Sequence, residues 1–218
     1  MEQTSEGSSV NTVSQKSGSE EGLNRVRRAI AYRLTQPVAR VLARTPLTPN
    51  AITWLGFILT LGAAALIITE HLLAAGFVVL AAGFLDILDG ALARLTGRVT
   101  PFGGVLDSTL DRLSDAALLL AILVFFDGET WVLLLVFLAF VASLLVSYIR
   151  ARALNAGLEP RRGIFTRSER VVVLALGLLL SHLDNALIIA LAVIAAFSFF
   201  TAGQRLFYAW RHQKAASP

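Results

Sequence analysis

Five aspartates interrupt apolar stretches in the middle of this 218-residue chain. They are Asp86, Asp89, Asp107, Asp111 and Asp115. A carboxylate within a membrane-spanning segment is costly, so such residues usually have a function. Asp86 and Asp89 are three residues apart, and Asp107 and Asp111 are four apart, so each pair shares one face of a helix. Two antiparallel helices with both pairs near the same membrane surface would form a four-carboxylate cluster.

Such a cluster predicts a metal site. Converging carboxylates do not all stay ionised without cations between them, and hard oxygen ligands favour Mg²⁺ or Mn²⁺. Four carboxylates could hold two metal ions, an arrangement that suits displacement at phosphorus. Gly90, Gly103 and Gly104 would let a diphosphate approach the backbone, and Arg94 could offer its planar fork to phosphate. A proton relay and tight helix packing are the alternative interpretations.

The composition predicts that these residues lie in a membrane protein. The chain is 56% hydrophobic and 16% charged, whereas soluble domains contain about 25% charged residues. The apolar residues occur in long blocks, which is typical of several membrane spans. The chain contains no cysteine, which excludes disulfides, thiolate metal sites and cysteine nucleophiles. Its isoelectric point of about 10.1 favours contact with anionic lipid headgroups over nucleic-acid binding.

We therefore predict an all-α integral membrane fold of six transmembrane helices preceded by an amphipathic juxtamembrane helix. Residues 1–22 are predicted to be a disordered tail, and 23–47 an amphipathic surface helix broken near Pro37, or else a solvated basic linker. Residues 48–210 would form the transmembrane catalytic domain and 211–218 a cytoplasmic tail. The six predicted spans are Ala51–Thr69, Leu72–Leu95, Gly103–Phe126, Trp131–Arg150, Arg170–Ser181 and Ala186–Phe207.

The distribution of positive charge predicts the orientation. All 19 Lys and Arg residues lie before the first span, around the second-to-third and fourth-to-fifth connections, or near the carboxyl terminus. Positive charge concentrates on the cytoplasmic side of membrane proteins. Both termini and the carboxylates are therefore expected on the cytoplasmic side of the cell (inner) membrane.

The segment DILDGALARLTGRVTPFGGVLDSTLD, residues 86–111, resembles the signature D-x2-D-G-x2-A-R-x8-G-x3-D-x3-D of the CDP-alcohol phosphotransferase family. All eight fixed positions match. They are Asp86, Asp89, Gly90, Ala93, Arg94, Gly103, Asp107 and Asp111. The run TPNAIT at residues 48–53 is similar to the segment that precedes the family's first span.

The resemblance implies a homodimeric enzyme that moves a phosphoalcohol group from a CDP-activated donor to a hydroxyl and releases CMP. Two divalent cations, Mg²⁺ or Mn²⁺, would be held by the four signature aspartates, and Asp111 would also take the proton from the acceptor. The residues implied to bind the CDP donor are Pro49, Asn50, Thr53, Gly90, Ala93, Arg94 and Gly103.

The acceptor is suggested by a closer resemblance to the phosphatidylinositol-phosphate synthase branch. The run DRLSD at 111–115, the segment 147–173 and the run GQRL at 203–206 are similar to that branch. It joins CDP-diacylglycerol to inositol 1-phosphate, whose phosphate calls for arginines. We predict Arg152, Arg167 and Arg205 for this task, although Arg150 stands where the branch has Lys.

Two other interpretations stay open at this point. Glycerol 3-phosphate is also a phosphorylated alcohol and could be the acceptor in the same chemistry. An ion-coupled transporter would also use intramembrane aspartates. It would, however, need a polar path across the whole bilayer, whereas these acids lie at one end of their spans.

The predicted orientation can be tested by cysteine labelling, because the chain has no cysteine of its own. We expect Glu70→Cys and Asp127→Cys, in connections that lack Lys and Arg, to react with an impermeant thiol reagent outside intact cells. Ser108→Cys, beside the predicted cluster, should react only after the membrane is permeabilised. The reverse labelling pattern would contradict the orientation.

Overall fold

A computed structural model of the protein describes residues 35–158 and 163–213, and helix is the only regular secondary structure in those two ranges. Residues 35–42 are helical, and six further helices follow. These are α1 (Pro49–Ile68), α2 (Leu72–Leu95), α3 (Pro101–Phe125), α4 (Thr130–Asn155), α5 (Arg167–Leu179) and α6 (Ala186–Gln213). Each corresponds to one of the predicted spans.

The fourth and sixth helices run further than the predicted spans. Helix α4 continues to Asn155 and α6 to Gln213, whereas the predicted spans end at Arg150 and Phe207. Arginine, alanine and leucine are all good helix formers, so both helices continue past the predicted ends. After α4 the chain turns at Gly157, whose φ of 73° suits glycine. Residues 211–213 therefore belong to α6 rather than to a separate tail.

Within residues 35–158 and 163–213, four helices are long and apolar enough to cross a membrane: α1, α2, α4 and α6. Helix α3 carries Asp107, Asp111 and Asp115, and α5 has 13 residues. At 1.5 Å per residue α5 is about 20 Å long, less than the roughly 30 Å of a hydrocarbon core. The described part of the chain is thus all-helical with four candidate membrane spans, and the count of six stays a prediction.

Two threonines define where the functional helices begin. The hydroxyl of Thr100 accepts a hydrogen bond from the Gly103 N–H at 3.0 Å, and Pro101 opens α3, as expected of an N-cap followed by proline. The Thr166 N–H donates to Glu169 Oε2 at 2.7 Å, and the Thr166 hydroxyl donates to the same oxygen. The Thr166–Glu169 pair occupies the positions of a capping box and makes Arg167 the first residue of α5.

The described residues divide into two compact units. Residues 35–49 and 87–99 form one unit, and 50–86, 100–158 and 163–213 form the other. In the larger unit α3 packs against α4, and both α4 and α5 pack against α6. Its core includes the fully buried Ile67, Ile122 and Leu191. A Cβ at Gly177 of α5 would lie 2.6 Å from the Cβ of Ala190 of α6, so these helices approach too closely for a side chain there.

Most of the predicted N-terminal elements lie outside the described residues. This applies to the tail over 1–22 and to the first part of the surface helix over 23–47. Residues 35–42 are helical and include Pro37, so the helix there passes through Pro37. The predicted break near that residue is therefore not seen between 35 and 42.

Candidate active site

Three carboxylates converge where α2 and α3 meet in the larger unit. One oxygen from each of Asp86, Asp107 and Asp111 lies within 4.8 Å of the other two. Asp86 projects from α2, and Asp107 and Asp111 project from successive turns of α3. All three side chains are half-buried, which limits how far water can screen their mutual repulsion. The spacing seen in the sequence thus becomes a compact group of negative charges.

The fourth signature aspartate belongs to the smaller unit. Asp89 follows Asp86 by three residues on α2 and is 5% exposed. Gly90, Ala93 and Arg94 lie in the same unit. A Cβ at Gly90 would be 3.3 Å from Arg94 Nη1, so glycine leaves room for the guanidinium to fold back along the helix. Within the larger unit, the carboxylate group consists of three signature aspartates.

Arg167 balances part of this negative charge. Its Nη1 lies 2.7 Å from Asp86 Oδ2 and 3.1 Å from Asp111 Oδ1, and its Nε lies 3.7 Å from Asp115 Oδ1. Burial lowers the pKa of Arg167, but these carboxylates raise it by more, so the pKa of Arg167 stays above its ordinary value. The first residue of α5 is therefore a fixed positive charge against the carboxylate group.

A fifth aspartate pairs with a second arginine of α5. Asp115 Oδ2 lies 3.0 Å from Arg170 Nη2, and the Arg170 side chain is 6% exposed. The sequence marked Asp115 only as one more acid, one helical turn after Asp111. Its partners could not be identified from spacing, because Arg170 is 55 residues away along the chain.

Beside the carboxylates lies a cavity of about 430 Å³ whose wall carries both signs of charge. Its charged lining residues are Asp107, Asp111, Asp115, Arg112, Arg150, Arg167, Arg170 and Arg205. Arg205 is 5% exposed and donates from Nη1 to the Val146 carbonyl at 2.5 Å. Its Nε is buried and has no hydrogen-bond partner in the described part of the chain. The wall of the cavity therefore concentrates positive charge.

Two of the three predicted acceptor arginines line this cavity, and one does not. Arg167 and Arg205 are in its wall, but Arg152 is exposed and is absent from the lining. Arg150 lines the cavity instead. Successive residues of a helix are rotated by about 100° around its axis, so residues two apart lie on nearly opposite faces. Helix α4 continues past both arginines. Arg152 therefore lies on a different face of α4 from Arg150 and outside this cavity wall, and its role at the acceptor stays a prediction.

Two of the predicted donor residues, Asn50 and Gly103, lie close together at the start of α3. A Cβ at Gly103 would be 3.2 Å from Asn50 Oδ1 and 2.9 Å from Thr100 Oγ1, so glycine allows α1 and α3 to approach. Thr53, one turn after Asn50, lines a second cavity of about 30 Å³ together with Asp86 and Asp115. Pro49 is the first residue of α1.

The donor atoms of the cluster fit a divalent cation. All are carboxylate oxygens, which hard cations prefer, and three residues supply them from two helices. Arg167 contacts Asp86 and Asp111 on one side, while Asp107 has no ion pair with it among the described contacts. A guanidinium supplies a single positive charge, so these three carboxylates have more negative charge than Arg167 can offset.

Comparison with known proteins decides the family. The CDP-alcohol phosphatidyltransferase family model matches residues 46–202. The chain belongs to this family. The archaetidylinositol phosphate synthase of Methanothermobacter thermautotrophicus is 39% identical over 189 residues, which cover 86% of this chain and 94% of that enzyme.

Solved structures of another member have the same fold. The phosphatidylinositol phosphate synthase of Mycobacterium tuberculosis with CDP-DAG bound has a TM-score of 0.73 and 35% identity, over 82% of this chain and 94% of that one. Its complex with manganese and citrate has a TM-score of 0.72 and 34% identity, over 81% and 88% of the two chains. The chain is thus a membrane-integral transferase of phospholipid biosynthesis, and its aspartates indicate dependence on a divalent cation.

Cation binding by this CDP-alcohol phosphatidyltransferase can be tested at Asp107. Of the three clustered carboxylates, it is the one for which no ion pair with Arg167 is seen among the described residues. We expect Asp107→Asn to weaken Mn²⁺ binding by at least about tenfold, because even the loss of an outer-shell partner costs 10–100-fold in metal affinity. Electron paramagnetic resonance of Mn²⁺ with the detergent-solubilised protein measures this. The control is Asp127→Asn in the α3–α4 connection. Equal Mn²⁺ affinity in the two variants would contradict the assignment.

Proposed function

We propose that the protein transfers a phosphatidyl group from CDP-diacylglycerol to the hydroxyl of inositol 1-phosphate and releases CMP. The observation that carries this proposal is the cavity of about 430 Å³ beside the carboxylates, whose wall includes five arginines. Arg167 contacts Asp86 and Asp111 and also lines the cavity. A cation-binding group and an anion-binding cavity thus share one side chain.

The charge of the cavity favours a phosphorylated acceptor. Arg205 is buried and has no ion pair in the described part of the chain, and a buried charge without a counterion is costly. A phosphate in the cavity that Arg205 lines would supply a counterion, and charge-assisted bonds of this kind are short and strong. An uncharged acceptor such as inositol would leave the same arginines facing only the three aspartates of the wall.

The identity of the acceptor is supported by the names of the relatives. One is an archaetidylinositol phosphate synthase and the other a phosphatidylinositol phosphate synthase, so both names give an inositol phosphate product and differ in the lipid. Glycerol 3-phosphate fits the cavity charge equally well but has no counterpart in those names. CDP-diacylglycerol is the donor we propose, since CDP-DAG is bound in the related structure.

The chemistry requires the donor diphosphate to be held and the acceptor hydroxyl to lose its proton. When bound, two divalent cations, Mg²⁺ or Mn²⁺, neutralise the diphosphate and stabilise charge at phosphorus. The carboxylates that we assign to them are Asp86, Asp89, Asp107 and Asp111. From the signature we assign the cytidine nucleotide to Pro49, Asn50, Thr53, Gly90, Ala93, Arg94 and Gly103.

Asp111 is the residue that we propose as general base. It belongs to the carboxylate group and also lines the cavity, so it borders both substrates. The acceptor hydroxyl attacks the phosphorus that carries the lipid alcohol, its proton passes to the Asp111 carboxylate, and the bond to the CMP phosphate breaks.

In the membrane, we propose six spans preceded by the amphipathic helix, with both termini and the active site on the cytoplasmic side of the cell membrane. The distribution of Lys and Arg supports this orientation. The family resemblance further supports a homodimer, which sedimentation in detergent would distinguish from a monomer.

The role of Asp111 predicts a specific loss. Asp111→Asn should reduce turnover by about 10²–10⁴-fold, the usual contribution of a general base, because an amide does not accept the proton. Donor binding should be largely kept, since the other aspartates remain. Turnover and CDP-diacylglycerol binding are measured on the same preparation. Turnover within about threefold of the wild type would remove Asp111 from the mechanism.

The acceptor can be tested by CMP release from CDP-diacylglycerol. We expect inositol 1-phosphate to give the fastest release among inositol 1-phosphate, glycerol 3-phosphate, inositol and serine. Arg205→Ala should raise the acceptor KM about 10- to 150-fold, the value of one charge-assisted contact, and leave the donor KM near that of the wild type. Arg205→Lys should recover only part, because lysine lacks the planar fork.

Arg152→Ala is the matched control for this test. Arg152 is an arginine in the same part of the chain, but it is exposed and outside the cavity wall, so its removal should change neither KM. Faster release with glycerol 3-phosphate would replace the proposed acceptor. Equal effects of the two alanine variants would mean that the cavity does not bind the acceptor.

A further inference from the structure

We propose that Asp115 is a positioning residue for the phosphorylated acceptor: it holds Arg167 and Arg170 at the border between the carboxylate group and the cavity. Asp115 lies outside the eight fixed positions of the family signature. The inference rests on the proposed function, because it concerns how the arginines of that cavity are oriented.

The two oxygens of Asp115 face two different arginines. Oδ1 lies 3.7 Å from Arg167 Nε, and Oδ2 lies 3.0 Å from Arg170 Nη2. The first contact is an ion pair without a hydrogen bond, since 3.7 Å exceeds hydrogen-bond distance. Arg167 and Arg170 are three residues apart in the first turn of α5, so they share one helix face. One carboxylate of α3 therefore holds both guanidinium groups.

The orientation of Arg167 depends on how its charge is shared. Its Nη1 contacts Asp86 and Asp111, while its Nε faces Asp115. Contacts at two edges of a planar group fix that plane, whereas contacts at one edge leave it free to turn. Without the charge of Asp115, Arg167 would pair with Asp86 and Asp111 alone, and would be drawn away from the cavity.

Arg170 depends on Asp115 more directly. Its side chain is 6% exposed, and a buried guanidinium needs a counterion. It lines the same cavity as Arg150 and Arg205, whose like charges repel it. Asp115 offsets this repulsion and holds Arg170 in the wall.

Two other roles for Asp115 fit the contacts less well. As a further cation ligand it would have to turn an oxygen toward the signature carboxylates, but both oxygens face arginines, and Asp115 is outside the group that meets within 4.8 Å. As a purely structural link between α3 and α5, Asp115 would support the fold, and its loss would affect donor and acceptor kinetics alike. A positioning role affects the acceptor selectively, which makes the two distinguishable.

We expect Asp115→Asn to raise the acceptor KM about tenfold, the scale of one weakened charge-assisted contact. Asparagine keeps the shape of the side chain and removes its charge. The donor KM and the kcat at saturating acceptor should stay within about threefold of the wild type, because no reacting group is altered. Asp115→Glu restores the charge one methylene further out and should recover part of the acceptor KM.

The test measures both KM values for wild type, Asp115→Asn, Asp115→Glu and the control Asp127→Asn, with the phosphorylated acceptor that the wild type uses best. A KM does not depend on the folded fraction, so partial unfolding does not imitate the expected result. If Asp115→Asn gives no folded protein, the test uses Asp115→Glu instead. Its displaced carboxylate should raise the acceptor KM above that of the wild type, while the donor KM stays unchanged.

A second readout needs no turnover. Isothermal titration of the same acceptor into the detergent-solubilised protein should show weaker binding to Asp115→Asn than to wild type and Asp127→Asn. Unchanged acceptor KM and affinity, or donor and acceptor KM rising together, would overturn the positioning role. If the wild type releases CMP with no phosphorylated acceptor, the proposed function itself fails, which is a different result from an active wild type with an insensitive Asp115.

Discussion

The repulsion among several half-buried carboxylates is the constraint on which the rest of the site depends. Asp86, Asp107 and Asp111 come within 4.8 Å of one another between helices that are otherwise apolar. Like charges at this distance in a poorly screened setting repel strongly, so the group is stable only with positive charge beside it. Arg167 supplies one such charge from α5, and divalent cations would supply the rest. The helix that delivers this arginine is therefore as necessary to the site as the two that deliver the aspartates.

That shared charge links the carboxylate group to the cavity that we propose for the acceptor. Arg167 touches the carboxylate group and lines this cavity, so a change in charge on one side alters what the arginine can do on the other. Charge–charge contacts that act through one intermediate side chain give coupled binding, and such coupling is reciprocal.

The aspartate pattern could be predicted from sequence because it is local. Residues three or four apart share a helix face whatever the rest of the fold does, and the helices themselves follow from long apolar runs. Predicting which arginines line the cavity requires more than local spacing. Arg150 and Arg152 are chemically alike, and only the continuation of α4 as a helix to Asn155 determines which of them faces the cavity. The pairing of Asp115 with Arg170 joins residues 55 apart, and no local pattern encodes it.

The loop before α5 shows how the arginines of two helices are placed together. A Cβ at Gly163 would collide with the Thr201 side chain and lie 3.0 Å from Arg205 Nε, so glycine lets this loop lie directly on α6. The Phe165 N–H donates to the Thr201 hydroxyl at 3.2 Å, two residues before α5 begins at Arg167. Residues 163–166 therefore lie against Arg205 and Thr201 of α6 directly before α5 starts. This geometry explains why a short helix that is marginal as a membrane span has a capped, well-defined start: its position matters more to the site than its length.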